Sequence, residues 1–420
     1  MDTHRLTTLP SGVRVVTEAM PGMRSAALGL WIDVGSRDET PEQGGITHFI
    51  EHLLFKGTAT RTALEIAETF DGLAGELNAF TTKDSTCVYT RVLDEHSSEA
   101  LDVMCDMLSS PIWAELEPER EVVLEEIAMI DDDPADLVHD LAARCVFGQH
   151  PLGRPIIGTV ETVASFEREH VGAFHSARYG SRSVVLAAAG SVDHDAICAH
   201  AERALQLCDA PLATRGPVSE LAPRHAFFRK ETEQAHVCVG GPGIGRGDDR
   251  RFALALLDHM LGSAASSRLM QEIREKRGLA YSVYSYTSQY AGSGQVGISF
   301  GTRNENVGTC LTIAREQLDD LAGSGPRVDE LARAKQSLKG RMLLSLEQTS
   351  SRMSRLGRSV LADDEILSLD ELGERIDGVS AADVAALAAE LFADDRLSIA
   401  AIGDDPSVLT VDAELVEAIA

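Results

Sequence analysis

Short apolar runs set between polar turns open the chain. Val13-Arg-Val-Val-Thr and Ala26-Ala-Leu-Gly-Leu-Trp-Ile-Asp-Val are rich in β-branched and apolar residues and predict strands. Gly44-Gly45 breaks the pattern, and residues 46–56 predict a helix that Gly57 ends. A second helix is predicted over 63–70, and residues 87–93 return as a strand. Helices are predicted over about 95–109 and 118–130, with Pro118 in a first turn and Asp131-Asp-Asp-Pro134 closing the second. Ser183-Val-Val-Leu-Ala-Ala-Ala-Gly predicts a further strand.

The pattern then loosens. Residues 208–224 are rich in Pro, Gly and small side chains, as a linker is. This predicts an N-terminal domain over 1–210, a linker over 211–224 and a C-terminal domain over 225–420. The second half reads as a worn copy of the first. Leu256-Leu-Asp258-His259-Met-Leu-Gly, Leu269-Met-Gln-Glu-Ile-Arg and Tyr281-Ser-Val-Tyr-Ser-Tyr repeat the order of His48-Phe-Ile-Glu-His52-Leu-Leu-Phe, the 63–70 helix and the next strand. Asp258 then stands opposite Glu51 and His259 opposite His52, while Ala255 replaces His48. One live half and one supporting half are expected, with His259 structural.

Charge narrows the partners. Of 420 residues, 66 are Asp or Glu against 38 Lys or Arg, a net charge of -28, which disfavours nucleic acid and anionic membrane surfaces. The first 210 residues carry -20 of it, and Asp94–Asp140 holds sixteen acidic residues against Arg120 alone. Most of that run reads as solvated helix surface; near an active site it would favour basic peptides. No apolar run approaches the roughly 20 residues that span a bilayer, and the start lacks a secretory pattern, so a cytoplasmic protein is expected. The seven cysteines are scattered without a CxxC pair and read as buried thiols.

The candidate chemistry lies in His48-Phe-Ile-Glu51-His52. On a helix, residues four apart share a face, so the two imidazoles can meet at one point. Two imidazole nitrogens suit zinc, which in catalytic sites takes three protein ligands and keeps a place for water. Glu51 sits beside the pair, placed to accept a proton from that water. A third ligand must come from elsewhere, and Glu117-Pro-Glu119-Arg-Glu-Val-Val-Leu-Glu125-Glu126 offers carboxylates. Glu119 and Glu126, two turns apart, share a face; Glu126 as ligand with Glu119 in support is one coherent arrangement.

The segment Gly44-Gly-Ile-Thr-His48-Phe-Ile-Glu-His52-Leu-Leu-Phe-Lys-Gly-Thr resembles the opening motif of the mitochondrial-processing-peptidase branch of the pitrilysin and insulin-degrading-enzyme family, the inverzincins. The resemblance continues through Gly75-Glu-Leu-Asn78-Ala79-Phe-Thr, Glu119-Arg-Glu-Val-Val-Leu-Glu-Glu126-Ile, His150-Pro-Leu-Gly-Arg-Pro-Ile-Ile-Gly158 and Leu269–Tyr281. It implies a zinc endopeptidase acting on peptides or unfolded segments, with His48, His52 and Glu126 as zinc ligands, Glu51 as general base and Glu119 as auxiliary carboxylate. It further implies Asn78 and Ala79 beside the bound peptide, and Arg274 and Tyr281 as donors to its carbonyl oxygens. The implied fold is α+β: two similar halves, each a mainly antiparallel sheet carrying helices, facing each other as a clamshell. In some bacterial relatives the zinc motif and the Arg/Tyr pair lie on different subunits; both occur in this chain, which implies a self-sufficient homodimer. The rival expectations are a non-catalytic scaffold or peptide-binding subunit, and a subunit that needs a second chain.

Overall fold

The computed structural model describes residues 4–218, 222–409 and 414–416. Among the described residues twelve strands form two six-stranded sheets, and the chain divides into two compact α+β units. The first unit comprises residues through Ile127, Pro155–Arg215 and Leu343–Ser368; the second comprises Ala128–Arg154, Gly216–Met342 and the residues from Leu369 on. Of the segment 211–224, residues 219–221 lie outside the described residues, and the rest has no regular secondary structure.

In the first unit the strands are β1 (His4–Thr8), β2 (Arg14–Ala19), β3 (Ser25–Ile32), β4 (Glu76–Thr81), β5 (Thr86–Leu93) and β6 (Val184–Gly190). Their order is β1-β2-β6-β3-β5-β4, antiparallel except for the parallel pair β2 and β6. Every residue of β6 is buried, as expected of an uninterrupted apolar run at the centre of a sheet. Its helices include α1 (Ile46–Leu54), α2 (Ala63–Gly72), α3 (Ser97–Ser109) and most of α4 (Leu116–Asp132), close to the positions the sequence pattern predicts. α5 (Pro134–Phe147) begins two residues after α4, with Asp133 capping the Ala135 N–H and Pro134 at the first helical position.

The second unit repeats the plan with β7 (His225–Arg229), β8 (Ala235–Gly243), β9 (Ala280–Tyr290), β10 (Ser293–Thr302), β11 (Ser398–Gly403) and β12 (Glu414–Val416). The order β12-β7-β11-β8-β10-β9 matches that of the first sheet, except that its edge strand β12 comes from late in the chain and runs parallel to β7, where β1 is antiparallel to β2. β7 and β11 are parallel, as β2 and β6 are.

Each sheet takes a helix from the other half of the sequence. The helix Thr349–Leu361 lays Met353, Leu356 and Val360 against Val16, Trp31 and Ala187 of the first sheet. Gly357 makes this approach possible, because a Cβ there would lie 2.2 Å from the Trp31 indole nitrogen. α5 in turn lays Val138, Leu141 and Cys145 against Ala226, Cys238 and Ile402 of the second sheet. Burying each large apolar side chain in such contacts stabilises by about 2 kcal/mol. Among the described residues, no helix is long and apolar enough to cross a membrane.

Candidate metal centre

α1 divides its residues by face. Ile46, Thr47, Phe49, Ile50, Leu53 and Leu54 are buried, while His48, Glu51 and His52 remain partly accessible on the opposite stripe. The helix has no side-chain cap from its own Ncap, Gly45, whose φ of 92° is left-handed. Glu39 does that work from outside, its buried carboxylate accepting the Gly45 and Thr47 N–H groups, both at 2.9 Å. A carboxylate at a helix N-terminus also complements the helix dipole. Gly45 meets Gly158 backbone to backbone, and a Cβ on Gly45 would come within 2.3 Å of the Ile157 carbonyl oxygen. The Gly44-Gly45 break and the Gly158 end of the downstream motif are thus two sides of one contact.

Three side chains converge on the open stripe. One donor atom each from His48, His52 and Glu126 lies within 4.8 Å of the others. The Glu126 Oε2 is 3.8 Å from His48 Nε2 and 3.5 Å from His52 Nε2, too long for hydrogen bonds. Ligands about 2.0 to 2.1 Å from a tetrahedral zinc lie roughly 3.3 Å from one another, close to these spacings. Burial, aided by repulsion from His52, holds the His48 pKa down to about 4, so its imidazole is neutral and offers a lone pair. The Glu119 carboxylate lies 3.0 Å from His52 Nδ1; taking that nitrogen as the protonated one leaves Nε2 free toward the other donors. The Lys56 ammonium occupies the second Glu119 oxygen at 2.7 Å. The donor set therefore fits a divalent metal.

Glu51 stands beside this set without belonging to it. Its Oε2 accepts a hydrogen bond from the Thr81 hydroxyl at 2.5 Å. Burial raises its pKa; Thr81 and His52 work against the rise, and Glu126 adds to it. Thr81 is the last residue of β4, the terminal strand of the first sheet. Asn78 is exposed and Ala79 partly buried on this strand, and the Asn78 Oδ1 accepts the Ala79 N–H at 2.8 Å.

Arg274 and Tyr281 lie in the second unit and are brought together. The guanidinium carbon sits 4.7 Å from the centre of the Tyr281 ring, which is 80% exposed. Arg274 lies on a turn of π-helix, Met270–Glu275, wider than the α-helix its periodicity suggests. His259 is buried against Arg341, whose Nη2 is 2.9 Å from its Nδ1, and Asp258 accepts the Ser285 hydroxyl at 2.6 Å. Of the acidic run, Asp106 and Asp102 pair with Arg61, and Glu117 with Arg120.

Glu39, Lys56 and Thr81 are the members of this neighbourhood that sequence reasoning missed. Lys56 alone carried a signal, standing one turn beyond His52. The others reach the site through contacts distant in sequence.

The chain matches the family description Insulinase (Peptidase family M16) over residues 14–160 and Peptidase M16 inactive domain over residues 165–338. It is 46% identical to an uncharacterized zinc protease of Streptomyces coelicolor, over 96% of this chain and 90% of that protein. It is 43% identical to an uncharacterized zinc protease of Bacillus subtilis, over 92% and 95% respectively. This chain belongs to peptidase family M16. Its fold is also that of a crystal structure titled peptidase M16 inactive domain from Pseudomonas fluorescens, with a TM-score of 0.88 at 21% identity, covering 98% of this chain and 99% of that one.

Proposed function

We propose that this chain is a zinc-dependent endopeptidase acting on peptides or unfolded segments. The observation that carries the reading is the convergence of His48, His52 and Glu126, with Glu51 beside them and outside the donor set. His48, His52 and Glu126 would hold the metal. When bound, zinc lowers the pKa of a water to about 7 and polarises a carbonyl oxygen. Glu51 takes a proton from the attacking water and returns it to the leaving amine. Thr81 occupies its Oε2, which leaves Oε1 for the proton. A base whose pKa is raised toward the working pH suits both steps. Glu119 orients His52, and Lys56 holds the other Glu119 oxygen.

The terminal position of β4 suits a substrate that adds as a further strand, with Asn78 and Ala79 alongside it. The Arg274–Tyr281 pair supplies a guanidinium and a phenol as donors to substrate carbonyl oxygens. The decisive experiment uses the purified chain alone, with a mixed peptide library, with and without chelator. Glu51→Gln is expected to keep one zinc per chain and lose cleavage. Full activity in that variant sinks the proposal, and a chain that holds no zinc after gentle purification favours the scaffold reading instead.

A further inference from the structure

The segment that follows the helix His194–Ala204 ends, within the first unit, on one largely covered cation. Leu212 and Thr214 are exposed, but the Arg215 side chain is only 16% accessible. Its guanidinium grips Asp38 with a two-pronged bond, Nε to Oδ1 at 2.9 Å and Nη2 to Oδ2 at 2.7 Å. Nη1 lies 2.8 Å from Asp33 Oδ1, and Nη2 donates to the Asp84 carbonyl oxygen at 2.8 Å. Three separate stretches of chain therefore meet on one cation: the end of β3, the turn through Asp38, and the turn between β4 and β5.

Two of these stretches lead directly to the metal centre. Asp38 precedes Glu39, whose carboxylate holds the first turn of α1. Asp84 lies in the turn that follows Thr81, the residue bonded to Glu51. The two turns are also laced together, Ser36 and Arg37 N–H donating to the Thr82 and Lys83 carbonyls at 3.1 and 3.0 Å. A planar guanidinium with five donors can hold such a junction; an ammonium cannot reproduce the fork.

We propose that Arg215 is a positioning residue for the metal centre. By tying these turns together it fixes α1, with its three polar side chains, against the strand that carries Thr81. The inference rests on the metallopeptidase reading above.

The test measures zinc affinity by chelator competition in the full chain, with the visible spectrum of the cobalt-substituted protein as a report on ligand geometry. Arg215→Met is expected to weaken zinc binding about tenfold, change the cobalt spectrum and lower kcat about tenfold with KM within about twofold. Arg215→Lys should recover little of it. Arg182→Ala breaks the exposed Arg182–Asp209 pair on the same segment and should change none of these readouts. Val16→Ala supplies a core variant of lowered melting temperature that leaves zinc affinity alone. If Arg215→Met does not fold, Asp33→Ala removes the side-chain partner of Nη1 only and carries the same comparison. Zinc affinity and cobalt spectrum unchanged by Arg215→Met, with His52→Ala losing the metal, overturn the proposal. So does an equal loss of zinc affinity in Val16→Ala. Zinc retained in His52→Ala overturns the metal reading, and this inference with it.

Discussion

α1 and the helix Arg251–Asp258 sit beside the terminal strands β4 and β9 of two sheets with the same strand plan. Phe49, Ile50, Leu53 and Leu54 are buried in the first; Leu256 and Leu257 in the second, with Met260 and Leu261 in the π-helical turn His259–Ser263 that continues it, stand at the same spacing, equally buried. The acid–hydroxyl contact is also kept, Glu51 with Thr81 and Asp258 with Ser285. What differs is what faces the histidine. His52 Nδ1 meets a carboxylate, whereas His259 Nδ1 meets a guanidinium, which can only donate. Asp258 and His259 therefore have neither a first histidine, Ala255 standing in its place, nor an acidic partner to orient the second. Packing in the two helices is the same, and a handful of polar positions separates a donor set from a structural pair.

The largest test of this contrast compares the two acids. Glu51→Gln should lower kcat by about 10²- to 10⁴-fold, while Asp258→Asn should leave it within about threefold, as steady-state peptide hydrolysis will read. Next come the histidine partners: Glu119→Gln should weaken zinc binding about 10- to 100-fold, and Arg341→Met should not move it. Ala255→His restores the spacing of two histidines but no third ligand. Metal analysis should still find one zinc per chain, and a second zinc would erase the distinction between the halves.

The smallest effect concerns pH. Burial raises the carboxyl pKa of both Glu51 and Asp258 above their ordinary values of 4.5 and 3.8. The folded state then binds more protons than the unfolded state in the acid range, so each carboxyl costs stability as pH rises through its folded value. In the metal-free protein, Glu51→Gln and Asp258→Asn should each raise the melting temperature by roughly 2 °C at pH 8. The gain should shrink toward nothing below about pH 4.

The parts legible in the sequence are those whose signals are local. The α1 stripe, the breaks around it and the Glu119/Glu126 spacing all appear within a few turns of chain, and the three proposed ligands do converge. β4 was harder, because Glu-Leu-Asn-Ala-Phe-Thr has no strong alternation and sits at a sheet edge, where the pattern need not be clean. Glu39 and Arg215 carried no signal, since a lone charged residue in a loop looks the same whether it is solvated or buried in a network. Periodicity also identifies an apolar helix face without naming the sheet it covers. For that reason the crossing of α5 to the second sheet and of Thr349–Leu361 to the first could not be read from the pattern.

That exchange bears on how the protein is made. When β6 leaves the ribosome, the first sheet has all its strands, yet the face bearing Val16, Trp31 and Ala187 has no cover until residues 349–361 are synthesised. At ordinary translation rates of about 5–20 residues per second, this is an interval of roughly 10–30 s. The nascent chain therefore presents a sticky apolar surface to the cell for much of its synthesis, and chaperone dependence should be greatest for products truncated just short of Thr349.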